Sequence, residues 1–195
     1  MKFPRTPHIP GSSGTDDDIH AEYTYPGTVI ATEKMDGSNI MMNNKKFITR
    51  KGETSTAEWT YPIRNLHYQI MHLIPDGVWL AGEFVYWRKN TPYENLPGAY
   101  LVFGAVEEDT CLSWNQVKEI AEQCGLPLVN TIGEPGTADQ VINNALNHMN
   151  GTQEGFVIRP ADSFPLNEYK EHVGKWVKPD HNPVAGNNGK NGIIT

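Results

Sequence analysis

The sequence predicts an α+β domain with largely antiparallel sheets flanked by helices. Short segments rich in apolar, β-branched and aromatic residues, each bounded by turn residues, are typical of strands. Three longer segments repeat apolar residues at helical spacing. The order of the elements is mixed, with strands clustered towards both ends, and this favours antiparallel pairing. At 195 residues and 38% hydrophobic content, the chain can bury one substantial core.

The chain divides into three parts by composition. Residues 1–27 are rich in Pro, Gly, Ser and Asp without an apolar period, which predicts an irregular N-terminal arm. The patterned region spans 28–181. Residues 182–195 are rich in Gly and Asn, so we expect a flexible tail and no OB-fold or other C-terminal domain.

Strands are predicted at 29–33, 39–42, 47–50, 78–87, 99–106, 155–160 and around 174–179. The first three are separated by Asp36-Gly37 and by the polar run 43–46, both turn signals. This spacing predicts an antiparallel meander, with the Asp-Gly turn as its first hairpin.

Helices are predicted at 62–73, 113–124 and 137–149. Pro62 suits a first helical turn, and Pro75 lies just beyond the end of the first pattern. The second and third helices begin with capping boxes, in which Ser113 or Thr137 precedes a Gln by three residues.

Composition and charge exclude several classes of protein. No apolar run approaches the roughly 20 residues of a membrane-spanning helix, and the N-terminus lacks a secretory signal, so we expect a soluble, cytoplasmic protein. The two cysteines, Cys111 and Cys124, fit neither a disulfide framework nor a zinc site and are expected to pack. A net charge of -7 argues mildly against nucleic-acid binding by bulk electrostatics, although basic residues cluster at 45–51 and 170–178.

One set of polar residues stands out against this background. Lys34 lies two residues before the Asp-Gly turn, a position where an exposed lysine without a functional role is common. However, Glu83, Glu154 and Arg159 lie in or beside strongly apolar strands, and Lys175 and Lys178 flank another one. Each alone is best read as solvent-facing, because an unpaired buried charge is very costly.

Together these residues suit covalent chemistry on a nucleoside triphosphate. A lysine attacks phosphorus only as the neutral amine, and lowering its pKa from about 10.4 to about 7–8 corresponds to roughly 4 kcal/mol. Neighbouring cations and a divalent metal disfavour the ammonium form. The sequence has no GxxxxGK and no GxGxxG, so neither a P-loop nor a Rossmann binding mode is supported.

The ordered motifs resemble those of ATP-dependent RNA ligases, within the covalent nucleotidyltransferases. The resemblance is closest to the T4 RNA ligase 2-like branch and to bacterial and phage RNA ligase family proteins, and it spans most of residues 3–181. It rests on RTPHIPGS (5–12), EKMDGSN (33–39), TRKGE (49–53), LAGEFVY (80–86), YLVFGAV (100–106), EGFVIRP (154–160) and KWVKPDH (175–181).

The resemblance implies an ATP-grasp-like nucleotidyltransferase (adenylation) domain in which Lys34 is the nucleophile and forms a lysyl-AMP phosphoramidate. It implies that Arg50 holds the ribose and the 5′-phosphate side, and that Glu83 binds a ribose hydroxyl. Phe103 would stack on the adenine, and Glu154 would face the metal.

The resemblance also gives roles to the residues around the turn and in the last strand. Glu33 would lie beside the adenine. Lys175 and Lys178 would serve the α-phosphate and the pyrophosphate side, with Lys175 the first choice for the α-phosphate. The residues that would shape the nucleotide loop and contact the ribose or the RNA end are Asp36, Gly37 and Asn39.

The implied reaction uses ATP and Mg²⁺ or Mn²⁺ to seal RNA 5′-phosphate and 3′-hydroxyl ends through three nucleotidyl-transfer steps. With an acidic chain, we expect weak RNA affinity or an accessory protein that grips the substrate. Two alternatives stay open: a DNA ligase or GTP-using transferase with the same core, and a non-catalytic module that binds nucleotides or RNA ends.

Overall fold

The computed structural model describes residues 3–14, 19–179 and 189–193, and it has two antiparallel sheets. The four-stranded sheet has the order β10-β8-β1-β7, and the six-stranded sheet has the order β3-β2-β4-β5-β6-β9. The strands are β1 Val29–Lys34, β2 Ser38–Met42, β3 Phe47–Thr49, β4 Val78–Phe84, β5 Tyr100–Glu107, β6 Thr110–Cys111, β7 Thr131–Gly136, β8 Gly155–Pro160, β9 Phe164–Pro165 and β10 Gly174–Val177. The helices are α1 Tyr61–Ile70, α2 Trp114–Gln123, α3 Ala138–His148 and α4 Tyr169–His172.

The predicted fold class is confirmed, and each predicted strand and helix has its counterpart. Both capping boxes are present, at Ser113 and at Thr137. Four elements were not predicted from the sequence, namely β6, β7, β9 and α4. β6 and β9 have two residues each, and β7 contains Gly133 and Pro135, which an edge strand tolerates because its outer side needs no ladder hydrogen bonds.

The predicted meander is wrong at its first turn. β1 pairs with β7 and β8, whereas β2 pairs with β3 and β4, so residues 35–37 cross from one sheet to the other and form no hairpin. The side chain of Asp36 holds this crossing by accepting hydrogen bonds from the backbone N–H groups of Asn90 and Thr91. An Asp-Gly pair specifies a tight change of direction, but the strands on either side select their partners by distant contacts.

Helices cover the outer faces of both sheets, and the inner faces meet. Val29 and Ala31 of β1 pack in a buried cluster with Val141 and Ala145 of α3. Because side chains alternate along a strand, Thr32 and Lys34 point towards the other sheet. Helices α1 and α2 pack on the six-stranded sheet in the largest buried cluster.

The inner faces share a third cluster. Met41, Ala81 and Val106 of the larger sheet lie there against Phe164, with Val157 of the smaller sheet packed beside them. Val157 and Phe164 of this cluster also line a cavity between the two sheets.

The described parts of both termini pack on the domain. Residues 3–14 and 19–27 of the arm form no helix or extended strand, but Ile9 is buried, and Pro7 and Ile9 exchange backbone hydrogen bonds with Lys175. Within 182–195 only residues 189–193 are described, and they lie against residues 86–96. Residues 180 and 181 of the predicted domain are outside the described ranges. No helix in those ranges combines the length and apolar character needed to cross a membrane.

Candidate active site

A cavity of about 1010 Å³ opens between the inner faces of the two sheets. The smaller sheet contributes Thr32, Lys34 and Val157 to its wall, and the larger sheet contributes Asn39 and Glu83. The N-terminal arm and the segment after β3 also line it. This volume suits a ligand of nucleotide size.

Lys34 lies at the end of β1, beside a carboxylate. Its Nζ atom is 2.6 Å from Oε1 of Glu154, and the two side chains retain 24% and 9% of their exposure. The antiparallel register produces this contact because Lys34 pairs with Gly155, the first residue of β8. Asn39 and Glu83 are likewise cross-strand partners on β2 and β4. The amine thus comes from β1, and the two carboxylates come from β4 and from the residue just before β8.

Glu83 is a carboxyl group with an unusual protonation equilibrium. Burial raises its pKa from 4.5 to about 7, and the nearby carboxylate of Glu154 acts in the same direction. Lys34 and the N–H of Gly37, which donates to Glu83 Oε1 at 3.2 Å, oppose the rise. A group with such a pKa exists in both protonation states near neutral pH.

Asp36 is held in place by hydrogen bonds to the loop 88–98. Its Oδ2 accepts from the backbone N–H groups of Asn90 at 2.8 Å and Thr91 at 2.9 Å. Its own N–H donates to the hydroxyl of Tyr93 at 2.8 Å. Three hydrogen bonds therefore attach the residue two positions after Lys34 to this loop.

Residues 189–193, here called the C-terminal strap, hold that loop in turn. Asn191 is buried, its Nδ2 donates to the carbonyl of Val85 at 2.7 Å, and its Oδ1 accepts from the N–H of Tyr93 at 3.1 Å. The ammonium of Lys190 lies 5.0 Å from the ring centroid of Tyr86, a cation–π distance. The strap was not predicted from the sequence, since Gly- and Asn-rich segments carry no periodic signal.

Aromatic residues and a buried arginine form another part of the cavity wall. Phe103 lines the wall, and Phe3 of the arm meets it edge-on with ring centroids 5.6 Å apart. Arg159 is buried, and it donates to the carbonyls of Phe103 at 2.6 Å and Leu112 at 3.0 Å. Burial lowers the pKa of Arg159. No role was predicted for Arg159 from the sequence, although a charged residue near the end of an apolar strand was the available signal.

The remaining predicted residues divide into two groups. Arg50 and Lys175 line the cavity, together with Arg5, Lys51 and Lys89, which sequence analysis did not select. Lys178 and Glu33 each form a hydrogen bond with another residue of the protein. Lys178 is absent from the lining and donates to the carbonyl of Gly151 at 2.7 Å, while Glu33 lines the cavity and accepts from Nδ2 of Asn130 at 2.9 Å.

The family described as RNA ligase matches residues 27–178, most of the chain. The chain belongs to the RNA ligase family. No curated protein sequence matches it significantly.

Solved structures share the fold of this RNA ligase family member at low identity. An archaeal ATP-dependent RNA ligase aligns with a TM-score of 0.63 and 17% identity, over 91% of this chain and 48% of that one. A mutant of the Naegleria gruberi RNA ligase with ATP and Mn aligns with a TM-score of 0.53 and 17% identity, over 78% of this chain and 49% of that one. A protein from Aquifex aeolicus assigned as an ATP-dependent DNA ligase aligns with a TM-score of 0.54 and 19% identity, over 79% of this chain and 44% of that one. The chain thus spans less than half the length of each.

The carboxylates beside Lys34 suit a divalent cation that takes its other ligands from outside the protein. Among the described residues of this RNA ligase family member, no three His, Cys, Asp or Glu side chains form a metal-binding group. Glu154 and Glu83 are nevertheless close enough for their charges to interact. Mg²⁺ is commonly held by one or two carboxylates together with substrate phosphates, which is what this pair can offer.

Proposed function

We propose that this protein is an ATP-dependent RNA ligase that works through a covalent lysyl-AMP on Lys34. The observation that carries the proposal is the placement of Lys34 next to Glu154, in a cavity that Arg50 and Lys175 also line. Membership of the RNA ligase family supports the same reaction class.

In the first step, the neutral amine of Lys34 attacks the α-phosphorus of ATP. A nitrogen–phosphorus bond forms, the bond to the bridging oxygen of the β-phosphate breaks, and pyrophosphate leaves. Glu154 holds the amine in position before the attack, and its Oε1 is placed to take a proton from it. Arg50 and Lys175 stabilise the negative charge that builds on the phosphate oxygens.

A divalent cation, when bound, neutralises phosphate charge as a Lewis acid. Glu154 and Glu83 would hold it at the cavity wall. Glu83 would also reach a ribose hydroxyl, and its carboxyl could donate or accept that hydrogen bond because its pKa is near 7. Phe103 would stack on the adenine ring.

Two further transfers complete the reaction. An RNA 5′-phosphate oxygen attacks the phosphorus of lysyl-AMP and releases the Lys34 amine, giving an RNA capped by AMP. A 3′-hydroxyl then attacks the 5′-phosphate, AMP leaves, and a phosphodiester bond joins the strands.

The test is transfer of label from ATP to the protein. The protein is incubated with ATP or GTP labelled on the α-phosphate, with Mg²⁺ or Mn²⁺, and then denatured. We expect label on the chain from ATP only, its complete loss in Lys34→Ala, and its retention in Lys118→Ala, which alters an exposed lysine of α2. Absence of label from both nucleotides in the wild type would refute the proposal and favour a non-catalytic module.

Sealing assays then assign the polynucleotide. Strands with 5′-phosphate and 3′-hydroxyl ends, in RNA and in DNA, are compared under identical conditions. Faster sealing of RNA is expected, whereas sealing of DNA alone would assign the protein as a DNA ligase.

A further inference from the structure

One region of the surface is basic although the chain is acidic. Residues 43–72 contain five Lys or Arg and two Glu, whereas the rest of the chain contains 11 Lys or Arg and 21 Asp or Glu. Within residues 3–14, 19–179 and 189–193, none of these five side chains is in an ion pair. The five are Lys45, Lys46, Arg50, Lys51 and Arg64.

The same region carries two strongly exposed aromatic side chains. Tyr61 and Tyr68 of α1 retain 62% and 69% of their exposure. They are seven residues apart, so they lie on the same side of the helix, separated by two turns or about 10 Å. The opposite side of α1 is buried through Ile63 and Ile70. The tyrosines are therefore not required for packing the helix.

The loop with the two exposed lysines is attached to this helix. Nε2 of His67, on α1, donates to the carbonyl of Asn43 at 2.8 Å, and Asn43 begins the turn that carries Lys45 and Lys46. The turn and the helix thus form one surface. We call it the α1 face and define it by Lys45, Lys46, Tyr61, Arg64 and Tyr68.

The segment that leads into the α1 face lines the cavity that contains Lys34. Arg50, Lys51 and residues 53–57 line the cavity, and so does Trp59, two residues before Tyr61. The chain therefore runs directly from the cavity wall into the helix that carries Tyr61 and Tyr68.

We propose that the α1 face binds an unpaired stretch of the RNA substrate next to the end being joined. This inference rests on the proposed function and specifies its substrate class. Tyr61 and Tyr68 stack on bases, while Lys45, Lys46 and Arg64 contact phosphates. Exposed aromatic side chains among cations bind single strands, because paired bases in a duplex have no free faces for stacking. The substrate is thus a single-stranded end or overhang, and not a flush nick in a duplex.

The first experiment removes the aromatic side chains. Tyr61→Ala/Tyr68→Ala is compared with Leu146→Ala, which truncates an exposed apolar side chain on α3. Binding of a fluorescent 12-nucleotide RNA with a 5′-phosphate is measured by anisotropy, alongside a nicked RNA duplex. We expect the double variant to bind the single strand about 10-fold or more weaker, with Lys34 adenylation and duplex binding unchanged.

The second experiment removes phosphate contacts. The variant Lys45→Ala/Lys46→Ala loses two phosphate contacts. The slope of log affinity against log salt concentration should therefore become shallower by about 1.4 for single-stranded RNA. The control, Lys118→Ala/Lys170→Ala, removes two exposed lysines elsewhere and leaves the slope unchanged.

The outcomes separate the two proposals. If the wild type is adenylated but the tyrosine variant binds single-stranded RNA as tightly as the wild type, the α1 face is not the RNA surface and the ligase assignment stands. Equal losses for single strand and nicked duplex, or wild-type preference for the duplex, also overturn the inference. Failure of the wild type to take label from ATP refutes the proposed function itself.

Discussion

Replacement of Glu83 by Gln will remove a pH-dependent cost of folding. Burial raises the pKa of Glu83 from 4.5 to about 7. Between these pH values the folded protein keeps a proton that the unfolded chain releases, so the free energy of unfolding falls as pH rises. The decrease begins above pH 4.5 and is complete above pH 7. At about 1.4 kcal/mol per pH unit, the free energy of unfolding falls by up to about 3 kcal/mol. Because Glu83 keeps some solvent exposure, this is an upper limit.

Urea unfolding at pH 5, 6, 7 and 8 measures this cost in the wild type and in Glu83→Gln. The amide has no charge to bury, and its oxygen still accepts the N–H of Gly37. The variant should therefore gain about 1–3 kcal/mol relative to the wild type between pH 5 and pH 8. Glu119→Gln, an exposed change on α2, should show no such trend.

The reasoning would be refuted if the difference in free energy of unfolding between Glu83→Gln and the wild type stayed constant from pH 5 to pH 8. Constant here means no larger a change with pH than Glu119→Gln shows. It would mean that Glu83 is ionised throughout that range. Lys34 would then dominate over burial in setting the pKa of Glu83.

Two further predictions concern side chains that position the cavity wall. Arg159→Met leaves the carbonyls of Phe103 and Leu112 without their donor. Because the Leu112 hydrogen bond is buried, its unsatisfied acceptor should lower the free energy of unfolding by about 1–3 kcal/mol in urea, and adenylation of Lys34 should require a higher ATP concentration. Asn191→Ala breaks the bonds from the C-terminal strap to Val85 and Tyr93, which should lower the free energy of unfolding by about 1–3 kcal/mol and speed hydrogen exchange of the loop N–H groups bound to Asp36.

Matched changes control these two measurements. Arg159→Lys keeps the charge but not the two-pronged geometry, and should fall between the wild type and Arg159→Met. Asn115→Ala alters an exposed asparagine of α2 and should leave exchange in the loop unchanged. If Asn191→Ala destabilises the protein while the Asp36-bound N–H groups exchange at the wild-type rate, the strap does not position the loop.

Local signals in the sequence were enough for most of the secondary structure. The capping boxes at Ser113 and Thr137 mark the starts of two helices, and apolar runs mark the buried strands. These features depend on interactions between residues three or four apart, or on alternation along one strand, so they can be read without a partner. The Lys34 motif and the carboxylates at 83 and 154 also stood out, as charged residues within apolar patterns.

What the sequence alone determined is therefore the type and approximate bounds of the elements and the residues with unusual chemistry. Only the tertiary structure decided that residues 35–37 join two sheets, that Lys34 contacts Glu154, and that Asn191 fixes Val85. Lys34 and Glu154 are 120 residues apart in the sequence, and Asn191 and Val85 are 106 residues apart. Contacts at such separations depend on which strands pair and in which register, and no local pattern encodes that choice.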